Sequence, residues 1–336
     1  MVEKEREIAP VTIAIPVYNG EDYIENAIKS ILNQQCEVQE VLICDNKSTD
    51  NTIITLEKII KNSFYDRFRV IKKSQNDGYI GNMNTCILEC RTKYLRFLHA
   101  DDMIAPRSIC QQLECFLKNP HIALISGQEE YIYKDENLTA VTKDNNISFS
   151  YYKAGKIFEF VTEKGHYLPV SSVMLNLEKV RQVGLFPTFT LAGDEYFWLQ
   201  ILSKYSIVIM NSLHSIRRLH DNNLQYRWFY ENKKEFVKGI YDLLTLMKYL
   251  EVRNDKKKKL ITNRRRRYSK VLMGNAILVI KRNKDTGSSL WYLNKSLRLW
   301  AGSLFTIIFL KAIAVITINF IGIYDFSRNM YLKHRK

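Results

Sequence analysis

Short apolar runs alternate with stretches in which apolar residues recur every third or fourth position along the first hundred residues of the chain. "VTIAIPVY" (11–18) is β-branched and almost wholly apolar, the pattern of a strand buried on both faces. "EDYIENAIKSILNQ" (21–34) follows, with Ile24, Ala27, Ile28 and Ile31 at helical spacing. The pair repeats as strand "VQEVLICD" (38–45) and helix "TDNTIITLEKIIKN" (49–62), then as strand "RFRVIKK" (67–73), a helix over 79–91 and strand "YLRFLHA" (94–100). Such alternation predicts an α/β fold, a parallel sheet covered on both faces, with ligands bound beyond the carboxyl ends of the strands. "SSVMLN" (171–176) and "SIVIMNSL" (206–213) read as later strands, with a helix through "DEYFWLQIL" between them.

Near residue 229 the pattern changes. "KKEFVKGIYDLLTLMKYL" (233–250), "YSKVLMGNAILVIKR" (268–282) and "SLWYLNKSLRLW" (289–300) predict amphipathic helices separated or flanked by basic residues. They lead into "SLFTIIFLKAIAVITINFIGIY" (303–324), apolar apart from Lys311, Asn319 and a few hydroxyls. A chain of 336 residues has room for two domains, and the change of pattern divides it into 1–228 and 229–336.

Charge sharpens that division. The net charge is +15, and between Arg253 and Lys284 thirteen Lys or Arg face Asp255 alone. The imbalance implies an anionic partner, whether nucleic acid, acidic lipid or a phosphorylated substrate. Six cysteines, at 36, 44, 86, 90, 110 and 115, form no CxxC pair and no zinc-type spacing, and are expected to be reduced, mostly structural thiols. The charged N-terminus "MVEKEREIAP" lacks a signal-peptide core, which predicts a cytosolic location for the first domain.

Candidate chemistry gathers at the strand ends. Asp45 closes one predicted strand, and "FLHADDMIAP" (97–106) puts Asp101 and Asp102 after another, so all three line one crevice. Adjacent carboxylates call for a cation, water or a helix to cap, and Pro106 could open such a helix. No GxGxxG follows the first strand and no GxxxxGK[ST] occurs, which argues against dinucleotide dehydrogenases and P-loop enzymes.

Five fragments then fall in register: "IPVYN" (15–19), "DNKSTDNT" (45–52), "HADD" (99–102), "GDEYFWL" (193–199) and "RRLHDNN" (217–223). In order and spacing, over roughly residues 10–225, the chain resembles the family 2 glycosyltransferases of the GT-A fold, a Rossmann-like nucleotide-sugar-binding architecture. The resemblance implies a nucleotide-sugar donor, of UDP type, whose base is held by Pro16 and Tyr18, with Asn19 in the same loop and Asp45 accepting from the uracil ring nitrogen. It implies donor-side roles for Asn76, Gly78 and Asn84. Asp102 is expected to bind Mn2+ or Mg2+, Asp101 the metal or the ribose, and His220 the metal or the diphosphate. A hard cation held by carboxylates neutralises the leaving diphosphate. Asp194 matches the catalytic base of an inverting displacement, at an ordinary carboxylate pKa of about 3.9. Glu195 is a further substrate contact and the alternative base. Three positions depart from the commonest family pattern: His99 replaces the first Asp of "DxDD", Met83 replaces a frequent Arg, and Gly193 replaces a frequent acid.

The resemblance also implies a glycan or lipid-linked acceptor and a place at the cytoplasmic face of the membrane, peripheral, monotopic or single-pass. A spanning helix needs about 20 apolar residues, but Lys311 near the centre of 303–324 costs about 2.5–3.5 kcal/mol. A monotopic helix tolerates that lysine by snorkelling, and the third reading is a helix packed on the rest of the protein. Two other functions stand beside the enzyme: a catalytically silent nucleotide-sugar-binding scaffold, and a basic nucleic-acid-binding protein. No nucleic-acid motif accompanies the charge runs, so no nucleic-acid partner is expected.

Overall fold

In a computed structural model the protein is described over residues 8–63, 65–133, 148–157, 159–160, 168–220, 223, 231–250, 253–283 and 285–320. It divides into two compact units, residues 1–221 with 250–252, and residues 222–249 with 253–336.

The first unit is built on one mixed sheet. Its strands are β1 (Ile8–Val17), β2 (Glu37–Asp45), β3 (Phe68–Lys72), β4 (Tyr94–Phe97), β5 (Met103–Ile104), β6 (Ile122–Tyr133), β7 (Phe149–Tyr152), β8 (Met174–Asn176) and β9 (Ser206–Leu219). Their order is β3-β2-β1-β4-β8-β6-β9-β5, with β7 also paired to β9. The helices are α1 (Ile24–Leu32), α2 (Thr52–Asn62), α3 (Gly78–Glu89), α4 (Ser108–Lys118), α5 (Leu177–Arg181) and α6 (Gly193–Lys204). Strands β3, β2, β1 and β4 are parallel, as the alternation predicts. The wholly parallel expectation fails beyond them, because β8 runs antiparallel to both β4 and β6. A reversed strand needs no crossover helix, so the strand–helix rhythm gives no sign of it.

Burial explains the apolar runs of the first two strands. Val11, Ile13, Ala14 and Ile15 of β1 and Val41, Leu42 and Ile43 of β2 are all fully enclosed. Helix α1 turns Ile24, Ala27, Ile28 and Ile31 into the same core, which also takes Leu56 of α2 and Phe116 of α4. Cys36 and Cys110, 74 residues apart, form a disulfide with Cα atoms 6.1 Å apart, so the expectation that all six cysteines are reduced is corrected. A pairing between a loop and a helix this distant leaves no local spacing signal. The other four cysteines are free and buried.

The second unit contains α7 (Lys233–Leu246), α8 (Asn254–Asn283), α9 (Thr286–Leu299) and α10 (Ile307–Phe320). The basic runs lie inside α8 instead of separating helices, because Lys and Arg are good helix formers and most of their heads, the buried Arg264 excepted, reach water. Lys258, Lys259, Arg265, Arg266, Arg267 and Lys270 are exposed, while Leu260, Leu272, Met273, Ala276 and Ile280 are buried. Helices α8 and α9 are tied by Ser269 Oγ to Ser296 Oγ (2.8 Å) and by Ser289 Oγ donating to Ala276 O (2.8 Å). No helix among the described residues is long and apolar enough to cross a membrane. The described part of segment 303–324 is a short 3-10 turn followed by α10, and residues 321–324 lie outside the described residues.

Candidate active site

The site forms where β1, β2 and β4 end side by side. Asp45, the last residue of β2, is buried, and its carboxylate accepts from Ser48 N at 3.2 Å. Pro16 is half-buried at the end of β1, and Tyr18, just beyond, is 47% exposed. Asn19 takes the left-handed conformation and fixes this loop to the next: its N–H donates to Ser48 Oγ (2.9 Å) and its Oδ1 accepts from Thr49 N (2.8 Å).

Asn46, which the motifs do not single out, is the hub of the donor side. Its N–H donates to Val17 O (2.9 Å), its Nδ2 to Asn76 Oδ1 (2.8 Å) and to Gly78 O (3.1 Å). Asn76 Oδ1 also accepts from Gly78 N (2.9 Å), at the positive φ where α3 begins. Asn84 is employed otherwise: its amide donates to Phe186 O and accepts from Phe186 N, both at 2.9 Å, anchoring the segment that leads to α6.

Three metal-competent side chains converge after β4. Ligand atoms of His99, Asp101 and Asp102 lie within 4.8 Å of one another. Asp102 is 3% exposed and doubly held, with Ser171 Oγ donating to Oδ2 (2.6 Å) and Arg218 N donating to Oδ1 (3.2 Å). His99 N donates to the same Ser171 Oγ (3.1 Å), and His99 Nδ1 stands 3.5 Å from Asp102 Oδ2. Burial opposes protonation of His99, but the hydrogen bond and charge of Asp102 outweigh it and hold the imidazole above its ordinary pKa. Burial likewise opposes ionisation of Asp101, yet the His220 hydrogen bond and the His99 charge pull its pKa below the usual value. His220 Nε2 meets Asp101 Oδ2 at 3.1 Å, and its ring stacks on Tyr23 with centroids 4.4 Å apart. His220 therefore buttresses Asp101, while His99, the apparent departure from the motif, completes the cluster.

Beneath the cluster lies Arg96, fully buried in β4. Its guanidinium donates to Ser108 Oγ (2.8 Å), Ser171 O (3.0 Å), His214 O (2.6 Å) and Gln112 Oε1. Burial lowers its pKa to about 9, so it is charged at pH 7. His214 fills the space above Gly127, where an added Cβ would lie 2.0 Å from the imidazole. Nothing in the local sequence marks Arg96 as more than an interruption in an apolar strand.

Asp194 stands in the first turn of α6, with Oδ1 accepting from Glu195 N at 2.7 Å. Burial, with the charge of Glu195 adding to it, raises its pKa to about 6, against the ordinary value expected from sequence. Gly193 has a steric reason to replace an acid, since a Cβ there would come within 2.7 Å of Pro187 O. Across the site, burial and the charge of Asp102 push Glu129 up to about 7.

Residues 12–174 match the profile of Glycosyl transferase family 2. A UDP-Glc:alpha-D-GlcNAc-diphosphoundecaprenol beta-1,3-glucosyltransferase, WfaP of Escherichia coli, is 30% identical over 195 residues, which is 58% of this chain and 70% of WfaP. The chain belongs to glycosyltransferase family 2. Staphylococcus aureus TarS 1–349 in complex with UDP-GlcNAc superposes with a TM-score of 0.65 at 15% identity, covering 95% of this chain and 91% of that one. The mannosyltransferase PcManGT of Pyrobaculum calidifontis, in complex with GDP-Man and Mn2+, gives 0.53 at 15% identity, covering 89% and 92%. At this identity both structures establish the shared GT-A fold. The chain spans 43%, 20% and 13% of the length of three curated relatives that it matches at 32% identity.

Proposed function

We propose that this family 2 enzyme transfers a hexose from a UDP-sugar, with inversion, to a hydroxyl of a glycan or lipid-linked acceptor during surface polysaccharide synthesis. The observation that carries the reading is the convergence of His99, Asp101 and Asp102 at a strand end shared with Asp45. Strand β1 separates β2 from β4, so Asp45 and the cluster stand about 10 Å apart by two strand spacings, the reach of a nucleoside diphosphate. The named ligands of WfaP and of the TarS complex support a UDP-sugar donor and a diphospholipid-linked acceptor.

The donor set fits a divalent cation: two carboxylates and an imidazole with their ligand atoms converging, and Asp102 oriented by two hydrogen bonds before any ion arrives. His99, Asp101 and Asp102 would hold it, and when bound it would neutralise charge on the leaving diphosphate. Tyr18 offers its exposed ring to the base, Asp45 accepts from the base N–H, and His220 keeps Asp101 in place. Asp194 takes the proton of the attacking hydroxyl. A pKa near 6 leaves it ionised at pH 7 and a stronger base than an ordinary aspartate.

Peripheral attachment to an anionic membrane belongs to the same reading. The exposed lysines and arginines of α8 suit acidic headgroups. Leu304, Ile307, Leu310 and Ile313 are exposed at intervals of three residues along the 3-10 turn and α10, an apolar face for shallow insertion.

A screen of UDP-sugars for UDP release, with Mn2+ and with chelator, tests the assignment. The expected result is metal-dependent release from at least one donor, abolished in Asp102→Asn. Release that ignores both metal and the substitution would overturn the assignment.

A further inference from the structure

We propose that Glu129, Tyr131 and Arg217 form the acceptor subsite, and that its ligand is a sugar ring. The proposal rests on the donor assignment above and names the chemistry of the other substrate. Strand β6 continues past Gly127, and its residues Gln128–Tyr133 stay paired with Leu213–Leu219 of β9. The register sets Glu129 beside Ser215, Tyr131 beside Arg217 and Tyr133 beside Leu219. Residues two apart on a strand share a face, so Glu129, Tyr131 and Tyr133 project together.

That face stands level with the carboxylate pair. Asp102 Oδ1 accepts from Arg218 N at 3.2 Å, one residue beyond Arg217, and Met103 pairs with Ile216 on the flank of β9 away from β6. The order β5-β9-β6 therefore carries Tyr131 two strand spacings, about 10 Å, sideways from the cluster. The Asp102 charge acts on both Glu129 and Tyr131, and the His99 charge acts on Glu129, so both side chains lie within electrostatic reach of the cluster. The His99 charge acts on Asp194 as well as on Glu129, so the base and Glu129 both lie within electrostatic reach of the same imidazole.

The chemistry of this ledge is that of carbohydrate recognition. Tyr131 is 53% exposed, and a hydrogen bond between Tyr131 and Glu129 steadies its ring as a platform for the apolar C–H face of a pyranose. Glu129 accepts from sugar hydroxyls and Arg217 donates to them. Tyr133, 65% exposed and about 7 Å further along the strand, repeats the platform for a second ring, which favours an acceptor longer than one sugar.

Saturation-transfer NMR on the full chain tests the proposal, with UDP, Mn2+ and a panel of methyl β-glycosides of glucose, galactose, N-acetylglucosamine and N-acetylgalactosamine. At least one glycoside is expected to receive saturation. Tyr131→Ala should cut that signal at least fivefold and Glu129→Gln at least threefold, while Tyr131→Phe keeps most of it and the UDP signal persists in all three. A wild-type protein that binds UDP but none of the glycosides overturns the subsite, as does an undiminished glycoside signal in Tyr131→Ala. A wild-type protein silent to UDP overturns the donor assignment and the subsite with it.

Discussion

Replacing Arg96 by methionine removes a charged donor buried under the cluster, and its cost follows from which acceptors are left dry. Ser108 Oγ keeps its bond to His214 Nδ1 (2.6 Å), and His214 O keeps Ala105 N (3.1 Å). Ser171 O and Gln112 Oε1 lose their partner in a fully buried setting. An unsatisfied buried acceptor costs about 1–3 kcal/mol, so two cost about 2–6 kcal/mol. Against this, the variant no longer buries a cation without a carboxylate beside it, the desolvation that brings Arg96 down to about 9. The net expectation is a loss of about 3 kcal/mol, a large part of a total stability of about 5–15 kcal/mol. Urea unfolding of the full chain measures it as a lower midpoint. Because Ser171 also orients Asp102, Arg96→Met should weaken Mn2+ binding in the presence of UDP by about tenfold, the lower end of outer-sphere effects on metal affinity. Arg96→Lys, which keeps the charge but not the planar fork, should fall between. A midpoint and a metal affinity both indistinguishable from wild type would refute the account of Arg96.

Further outcomes follow from single contacts. Asp194→Asn should lower turnover by a factor on the order of 100 to 10,000 with donor affinity retained, measured as UDP release and UDP binding. The folded-state pKa of Asp194, about 6, lies above its unfolded value, so its ionisation costs stability above pH 6 and nothing below the unfolded pKa. Asp194→Asn should therefore unfold at higher urea than wild type at pH 7, with the difference vanishing as pH falls toward 4, and activity of the wild type should fall on the acid side of about pH 6. Gly127→Ala forces a methyl into the His214 ring and should destabilise the protein by about 1–3 kcal/mol, read by thermal unfolding. Vesicles containing phosphatidylserine should co-sediment the protein, and exchanging Arg265, Arg266 and Lys270 for Glu should reduce this at least tenfold, with neutral vesicles as the control.

The first four strands are legible through the strand–helix rhythm, with β4 and the later parts of β1 and β2 enclosed and β3 only half-buried. Strands β6 and β9 were harder. The sequence "GQEEYIY" (127–133) is too polar to read as a buried strand, since after Gly127 only Ile132 packs toward Met103 and Ala105 and Glu129 is half-buried. The basic runs carry no sign of the helix that holds them, because charge says nothing against a helix when one face stays in water.

Within the site, visibility followed sequence distance. The Asp101–Asp102 pair, Asp45 and Asp194 stand in contiguous motifs that display their chemistry directly. The groups that aim those carboxylates arrive from far away: Ser171 lies 69 residues from Asp102, Arg218 116 residues from it, and Arg96 reaches His214 across 118 residues. A hydroxyl, a backbone N–H and a buried guanidinium carry no motif, because their role depends on what the fold sets opposite them. The departure at His99 follows the same logic. A histidine in place of the first aspartate brings one negative charge fewer to a site that already packs Asp101, Asp102 and Glu129 near one another, and it keeps a ligand atom within 4.8 Å of both aspartates. Like charges held this close are costly to ionise together. The substitution thus relieves repulsion among the carboxylates without removing a ligand atom, and His99→Asp should raise the pKa of Glu129 further, read by NMR titration, while making urea unfolding more dependent on added Mn2+.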